Sequence, residues 1–499
     1  MKKLLPSLFS MLFSVLAMQT GYAGHNRGAE ITYINVAPNT YAVKLNYYKD
    51  CGTLPAPSTQ NLAYNASGCS AGGNLTVNLQ SNYPANPYCA SVTSSCTSGS
   101  PGMPDYEIHN YFGTLTLPVA CDNWRVSFRS SDWNNNVNLA PSNFLYNDAM
   151  IDNVNAADNS SPVFTNDPLI FMLPTANTYN KSYTYNLGAV ELDGDSLAYS
   201  ITSALTDYNQ PAVYNVNYSG TNPFGQNNGS VTIDAASGAM QIGVLNANAG
   251  PPSAYPNNYV VAVQIEEYRK NTAGTYQKIG HIRRDLNMMV LNGNSNHLPE
   301  LQPISVNGNP ESYNTIIEVE AGQQTTISFS ATDNDPGSLV GLGTNAGQYF
   351  QNALFSFSGS PGAPTGTLTF TPTLAQVRQY PYYITFITTD NACPLRGVQI
   401  KTLGLRVKAS GTVGVKEDLA KKYQLPTLLN KHLNSRLMLH AELEGATVSI
   451  YNHTGSLVKK IENYRNNWSA AGVAAGLYLY SVEQKGLSQP ITSKLLIVN

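Results

Sequence analysis

Apolar residues recur at every second position in short runs along this chain. Tyr41, Val43, Leu45 and Tyr47 fall on one face, with Lys44 and Asn46 on the other. Trp124, Val126 and Phe128 alternate with Arg125, Ser127 and Arg129. The pattern returns at Tyr259, Val261, Val263 and Ile265, at Ile327, Phe329 and Ala331, and at Leu403, Leu405 and Val407. A period of two marks half-buried strands of antiparallel sheets. Turn clusters such as Asn227-Asn228-Gly229 and Ser360-Pro361-Gly362 separate the runs. Short strands at regular spacing with frequent turns predict an all-β chain of tandem antiparallel β-sandwich domains.

An internal echo sets the predicted boundaries. Asn159-Ser160-Ser161-Pro162-Val163-Phe164 opens one unit and Asn296-His297-Leu298-Pro299 the next. An acidic strand end follows each: Ala189-Val190-Glu191-Leu192-Asp193, then Ala331-Thr332-Asp333-Asn334-Asp335. The expected organisation is a signal segment 1–23, β domains 24–155, 156–293 and 294–409, a linker 410–434, and a small β-sandwich 435–499. A helical turn is expected in the charged run Lys416–Lys422 of the linker.

Lys2 and Lys3 before the apolar run Leu4–Ala17, then Gly21-Tyr22-Ala23, form the three parts of a secretory signal cut after Ala23. The alternative, a membrane anchor, needs about 20 apolar residues, and the run is shorter. No later segment is long and apolar enough to span a bilayer, so no transmembrane anchor is expected in the mature chain. Export makes Cys51, Cys69, Cys89, Cys96, Cys121 and Cys393 disulfide candidates. The sequence-local pairs Cys51–Cys69 and Cys89–Cys96 are expected, with Cys121 and Cys393 either bonded across domains or free. A zinc site is the rival, but no CxxC occurs and no His lies within four residues of any Cys.

Composition narrows the function. Charged residues are only 12% of the 499, while Tyr numbers 32, Gly 39 and Pro 29. Residues 24–410 hold 16 Lys and Arg against 25 Asp and Glu, a net of −9. Residues 411–499 hold 10 against 6, a net of +4. An acidic body argues against nucleic acid, which calls for clustered Lys and Arg. Disorder is excluded by the ordinary apolar share of 42%.

The last unit resembles the type A C-terminal sorting domain of the type IX secretion system of Bacteroidetes. The matching blocks are Val448–Lys460, containing Tyr451 and Gly455, then Ala475–Val482, containing Gly476 and Tyr478, and Ser493–Val498, containing Lys494. The Pro-Asn-Pro block that opens such domains is replaced by Leu425-Pro426-Thr427. The resemblance implies delivery by the type IX machinery to the cell surface or medium. The middle resembles the cadherin-like and immunoglobulin-like repeats of large Bacteroidetes surface proteins. It does so through Pro162-Val163-Phe164, Asp193–Ile201, Ile233-Asp234 with Ser237-Gly238, Arg284-Asp285, Phe370-Thr371-Pro372-Thr373 and Thr389–Pro394. Gly28–Tyr33 with Tyr48–Cys51 is similar to the start of such proteins.

In cadherin-like repeats, acids at domain junctions hold calcium. Asp158, Glu191, Asp193 and Asp195 are the candidate ligands here, with Asp333 and Asp335 as the corresponding pair in the third domain. Solvated turn acids are the alternative. Catalytic signals are weak: the seven histidines are scattered, with no HExxH, no GxSxG elbow and no P-loop. Glu266 and Glu267 are adjacent, so a strand points them to opposite faces. Tyr47, Tyr48, Trp133, Tyr380, Tyr382 and Tyr383 include positions that alternation places outward, where rings serve recognition. The expected function is therefore structural or adhesive, binding an unidentified glycan or protein. The alternative is an accessory module or hydrolase for extracellular polymer degradation.

Overall fold

A computed structural model describes residues 26–51, 55–97, 102–141, 143–168, 171–172, 183–225, 229–243, 258–271, 273–291, 296–409, 423–431, 435–452, 456–485 and 490–498. Ala23 and the rest of the signal segment, the charged run Lys416–Lys422, and Gly455 lie outside them. The chain is all-β, and nearly every strand pairing is antiparallel. It divides into two compact units, one ending at Val407 and one beginning at Lys408.

Seven strands open the first unit: β1 (Asn26–Ala37), β2 (Thr40–Asp50), β3 (Thr59–Ala66), β4 (Ala71–Pro84), β5 (Tyr106–Thr116), β6 (Trp124–Asp132) and β7 (Phe144–Ile151). They pair in the order β1-β2-β5-β4-β3-β6-β7. The alternating apolar sets point inward and are fully buried: Ile31, Val43, Leu45, Val77, Trp124, Val126 and Leu145 make one core. The sheet curls until both end strands meet one closing strand, Tyr276–Val290. That strand pairs with Asn258–Lys270 along one edge. Its other edge meets β7 (Ile282 opposite Ala149) and then β1 (Ala29 opposite Asp285).

The expected boundary at 155 and 156 therefore cuts through one sheet of 13 strands. Alternation marks a strand but not its partners, and the second partner of β1 lies far downstream, with Ala29 opposite Asp285. Strand Asn258–Lys270 also departs from the half-buried expectation. Tyr259, Val261 and Val263 enter a second core while Val260 and Ala262 enter the first, so both faces are covered. The second core joins Tyr48 and Ile108 of the curled sheet to Tyr185, Met240, Leu395 and Ile400.

Residues from 300 to 408 form a sandwich. A sheet containing Thr325–Thr332, Ala363–Phe370 and Leu354–Ser360 faces one containing Tyr382–Thr389 and Val398–Lys408. Ile327, Phe329, Leu368, Phe386 and Leu403 fill the space between.

All six cysteines are paired, but not locally: Cys51–Cys96, Cys69–Cys121 and Cys89–Cys393 replace the expected pairs. The β3–β4 hairpin carries Cys69 away from Cys51 and beside Cys121, just ahead of β6. Cys51 meets the loop before β5, where its backbone N–H donates to Asp105 O at 3.2 Å. Cys89 ties the loop after β4 to the sandwich, reinforced by Arg396 Nη2 donating to Tyr88 O at 3.0 Å.

The second unit is a five-stranded sheet over its own core of Leu429, Leu437, Val448, Ile450, Tyr480, Val482 and Leu495. Its strands Thr447–Tyr451 and Leu457–Ile461 carry the first block singled out in the sequence, and Gly476–Glu483 and Ile491–Val498 carry the other two. Register aligns Tyr451 with Leu479 and Leu479 with Lys494 across the three. Tyr478 is buried, its hydroxyl donating to Ala474 O at 3.0 Å.

Candidate functional site

The acids named from sequence separate into two places. Glu191, Asp193 and Asp195 converge, with a carboxylate oxygen of each within 4.8 Å of the others. Asp158 joins them through Arg269, whose guanidinium donates to Asp158 Oδ1 at 2.6 Å and to both oxygens of Asp195 at 2.8 and 2.7 Å. Asp333 and Asp335 sit apart, in a loop closed by its own bonds. Asp333 accepts from the Asp335 N–H and the Ser338 hydroxyl, and Asp335 pairs with His297.

Sequence reasoning missed three members of the main cluster. Glu267 is fully buried beside it, accepting from Asn159 Nδ2 at 3.3 Å and from the Tyr33 hydroxyl at 3.4 Å. Arg269 and Arg378 are its cations. Arg378 Nη1 donates to Glu191 Oε2 and to Glu191 O, both at 3.2 Å, and its guanidinium lies 3.6 Å from the Tyr382 ring centroid. The one readable signal was Glu267 and Arg269 lying two positions apart in one strand. Glu266 turns away toward Lys278 and Tyr268, as alternation predicts.

Electrostatics show what this cluster does. Burial pushes the Glu191 carboxyl up to about 7, Arg378 opposing and Asp195 and Asp193 adding to the rise. Burial drives Glu267 well above the usual carboxylate range, and the neighbouring acids push the same way. Hydrogen bonding to Arg269 holds Asp158 low. The donor set is all oxygen, as calcium prefers. Yet two guanidinium groups already supply the positive charge at Asp195, Asp158 and Glu191, while Asp193 accepts from the Ser160 N–H at 2.6 Å. The cluster as built is an arginine-locked joint between the 189–195 segment and the sandwich, and it keeps the Glu191, Asp193 and Asp195 carboxylates close enough together to share one cation.

A different surface is accessible. On β3 and β4, Leu62, Leu75 and Val77 point inward while Asn61, Ala63, Asn65, Asn74, Thr76 and Asn78 stand exposed. This outer face carries short neutral side chains and is flanked by rings stacked with cations. Lys44 lies over Phe112 at 5.7 Å, Arg129 over Phe144 at 3.8 Å and Arg125 over Tyr208 at 4.3 Å. Phe112, Phe144 and Tyr208 are exposed. The aromatics singled out in the sequence, some of them expected outward, lie elsewhere: Tyr47, Tyr48, Trp133 and Tyr382 are buried, and Tyr380 and Tyr383 are half-buried. Tyr48 packs edge-on against Tyr106 in the second core, while Tyr47 and Trp133 belong to the first core and Tyr382 to the core of the sandwich.

No protein-family model matches the chain, and no curated protein matches it. Solved structures do overlap it. The N-terminal eight Ig domains of Down Syndrome Cell Adhesion Molecule align at 12% identity and TM-score 0.21, over 94% of this chain and 49% of that one. The chain thus spans about half of that structure. Mouse clustered PcdhgC3 EC1-3 aligns at 12% and 0.21, over 54% and 86%. Drosophila N-cadherin EC1-4 aligns at 12% and 0.18, over 89% and 92%. At these scores the overlaps carry no argument beyond the strands already described. Among the described residues no helix is long and apolar enough to cross a membrane.

The raised carboxyls fix a pH dependence. A carboxyl whose folded pKa exceeds its unfolded value of 4.5 stabilises the fold fully below that value and loses the contribution as pH rises through about 7. Thermal melts should show stability falling by roughly 1–3 kcal/mol from pH 5 to pH 8. Glu191→Gln should flatten that slope.

Proposed function

We propose that this chain is an exported, non-catalytic structural or adhesive protein whose curled N-terminal sheet binds a glycan or protein through its outer face. The observation that carries the reading is the neutral Asn- and Thr-lined face of β3 and β4, bordered by exposed rings with stacked cations. Short amides and hydroxyls offer hydrogen bonds in both directions, and exposed rings add stacking area at little entropic cost. Three disulfides in the first unit support residence in an oxidising compartment. The type IX route rests on the resemblance of residues 435–499, whose three blocks lie on neighbouring strands of one sheet.

A glycan and protein binding screen on residues 24–409 tests the face. A ligand found there should bind Phe112→Ala and Phe144→Ala about threefold to tenfold more weakly each, at unchanged melting temperature. Retained affinity in both variants rejects the face as the site. Deleting residues 435–499 tests delivery. The truncated protein should accumulate in the periplasm, and normal surface display of it would contradict the sorting role.

A further inference from the structure

A long stretch of the sandwich carries no charge at all. From Pro336 to Val377 there is no Asp, Glu, Lys, Arg or His, and Asp335 and Arg378 bound the interval. Within it lies the strand Leu354–Ser360, which ends its sheet: the order runs Asn309–Glu311, Ile304–Val306, Thr325–Thr332, Ala363–Phe370, Leu354–Ser360. One edge of this strand pairs with Ala363–Phe370 over all seven residues. Among the described residues, none of the seven makes a backbone or side-chain hydrogen bond outside that ladder. Leu354 is 72% exposed and Phe357 67%.

Exposed sheet edges normally carry a device against pairing with another chain, such as Lys, Pro, inward charge or extreme shortness. The opposite edge of this same sheet has three: it is three residues long and contains Pro310 and Glu311. The edge strand Ile316–Glu320 of the facing sheet carries Glu318 and Glu320. In the second unit, edge strand Leu457–Ile461 carries Lys459 and Lys460. The edge at Ser196–Thr202 is engaged, Tyr199 N–H donating to Ala235 O at 2.8 Å. Leu354–Ser360 has none of these protections, and its Leu-Phe-Ser-Phe core combines high β propensity with zero charge, the composition that drives strand pairing.

The strand is nonetheless held firmly. Phe355 stacks on Phe329 at 5.7 Å, and both rings lie against Gly366, where a Cβ would come within 2.9 Å of Phe355 and 3.0 Å of Phe329. Phe355 anchors the strand in the core, whereas Phe357, on the same face, projects past it into solvent.

We propose that this edge is a self-association surface: a second copy of the chain adds its own Leu354–Ser360 antiparallel, about a two-fold axis, making one continuous sheet across two molecules. The charge pattern admits that occupant without penalty. Any register within the seven residues brings no like charges together, so the edge is compatible with itself, and a two-fold contact requires that self-compatibility. Pairing covers Leu354 and Phe357 and satisfies the free edge groups, with aromatic and Ser cross-strand neighbours that favour antiparallel ladders. The two six-stranded sheets, each five strands across, join into one sheet ten strands across, within the size that twisted sheets reach. This inference is independent of the outer face on β3 and β4.

Sedimentation velocity of the chain from residue 24 tests it, at concentrations from about 1 to about 100 µM. The expected result is a reversible monomer–dimer equilibrium. Ser356→Lys and Phe357→Lys, placed on opposite faces of the strand, should each weaken the dimer about tenfold or more, at unchanged melting temperature. A wild-type chain monomeric throughout overturns the proposal, as does a dimer that both variants leave intact. A monomer that instead captures an unrelated extended peptide at this edge, sensitive to Ser356→Lys, also overturns the assignment to a second copy.

Discussion

The architecture of the first unit depends on how the closing strand Tyr276–Val290 meets both ends of a curled sheet. The junction is built from buried charge. Glu30 and Arg284, both almost wholly excluded from solvent, pair at 2.7 Å. Asn46 donates to Glu30 at 2.6 Å, and Arg284 donates to Asn166 O at 3.0 Å while lying 4.5 Å from the Phe164 ring centroid. Beside them Asn147 bridges the strands, donating to Ala29 O at 3.1 Å and Arg283 O at 3.2 Å. Asp148 gathers Arg125, Arg283 and a His281 that burial holds neutral, its pKa lowered to about 3. Such a network adds little net stability over an apolar core, but losing one partner strands a buried charge, so it enforces one arrangement. Gly28 completes the constraint. Its φ is +149°, and a Cβ there would sit 2.0 Å from Asp285 O, so any side chain at that position would collide with the closing strand.

This concentration of charge inside the molecule explains its surface. Charged residues are only 12% of the chain, and several of them are drawn into the closing junction and the arginine-locked cluster around Glu191 and Glu267. What faces solvent on β3 and β4, and again on Leu354–Ser360, is short, neutral and partly apolar. Such surfaces favour contact through hydrogen bonds, stacking and strand pairing over long-range electrostatic attraction. The adhesive reading and the self-pairing edge both follow from that distribution.

Much of the strand pattern was legible in the sequence. Tyr41, Val43 and Leu45, and Trp124, Val126 and Phe128, alternate because one side of each strand is core. The convergence of Asp158, Glu191, Asp193 and Asp195 was also legible as composition near a strand end. Strand partners were not, since pairing between Ala29 and Asp285 leaves no local mark. Buried ionic residues such as Glu30 and Arg284 leave no mark in the alternation, which assumes the second face is wet. The disulfides misled for the same reason: sequence proximity of Cys51 and Cys69 says nothing once a hairpin separates them. Arg378 was invisible as a cluster member, lying 187 residues from its acid, and Arg269 was marked only by its spacing from Glu267, not by its acid 74 residues away.

The closing role of Tyr276–Val290 is most directly tested by residues 24–155 prepared alone and compared with residues 24–409 by amide hydrogen exchange and thermal melting. Without the closing strand, β1 and β7 become bare edges and Glu30 and Asp148 lose Arg284 and Arg283. The shorter chain should then show no cooperative melt and no slow exchange in β1 and β7. Native-like protection of both strands in the shorter chain would contradict the account and restore residues 24–155 as a domain of their own.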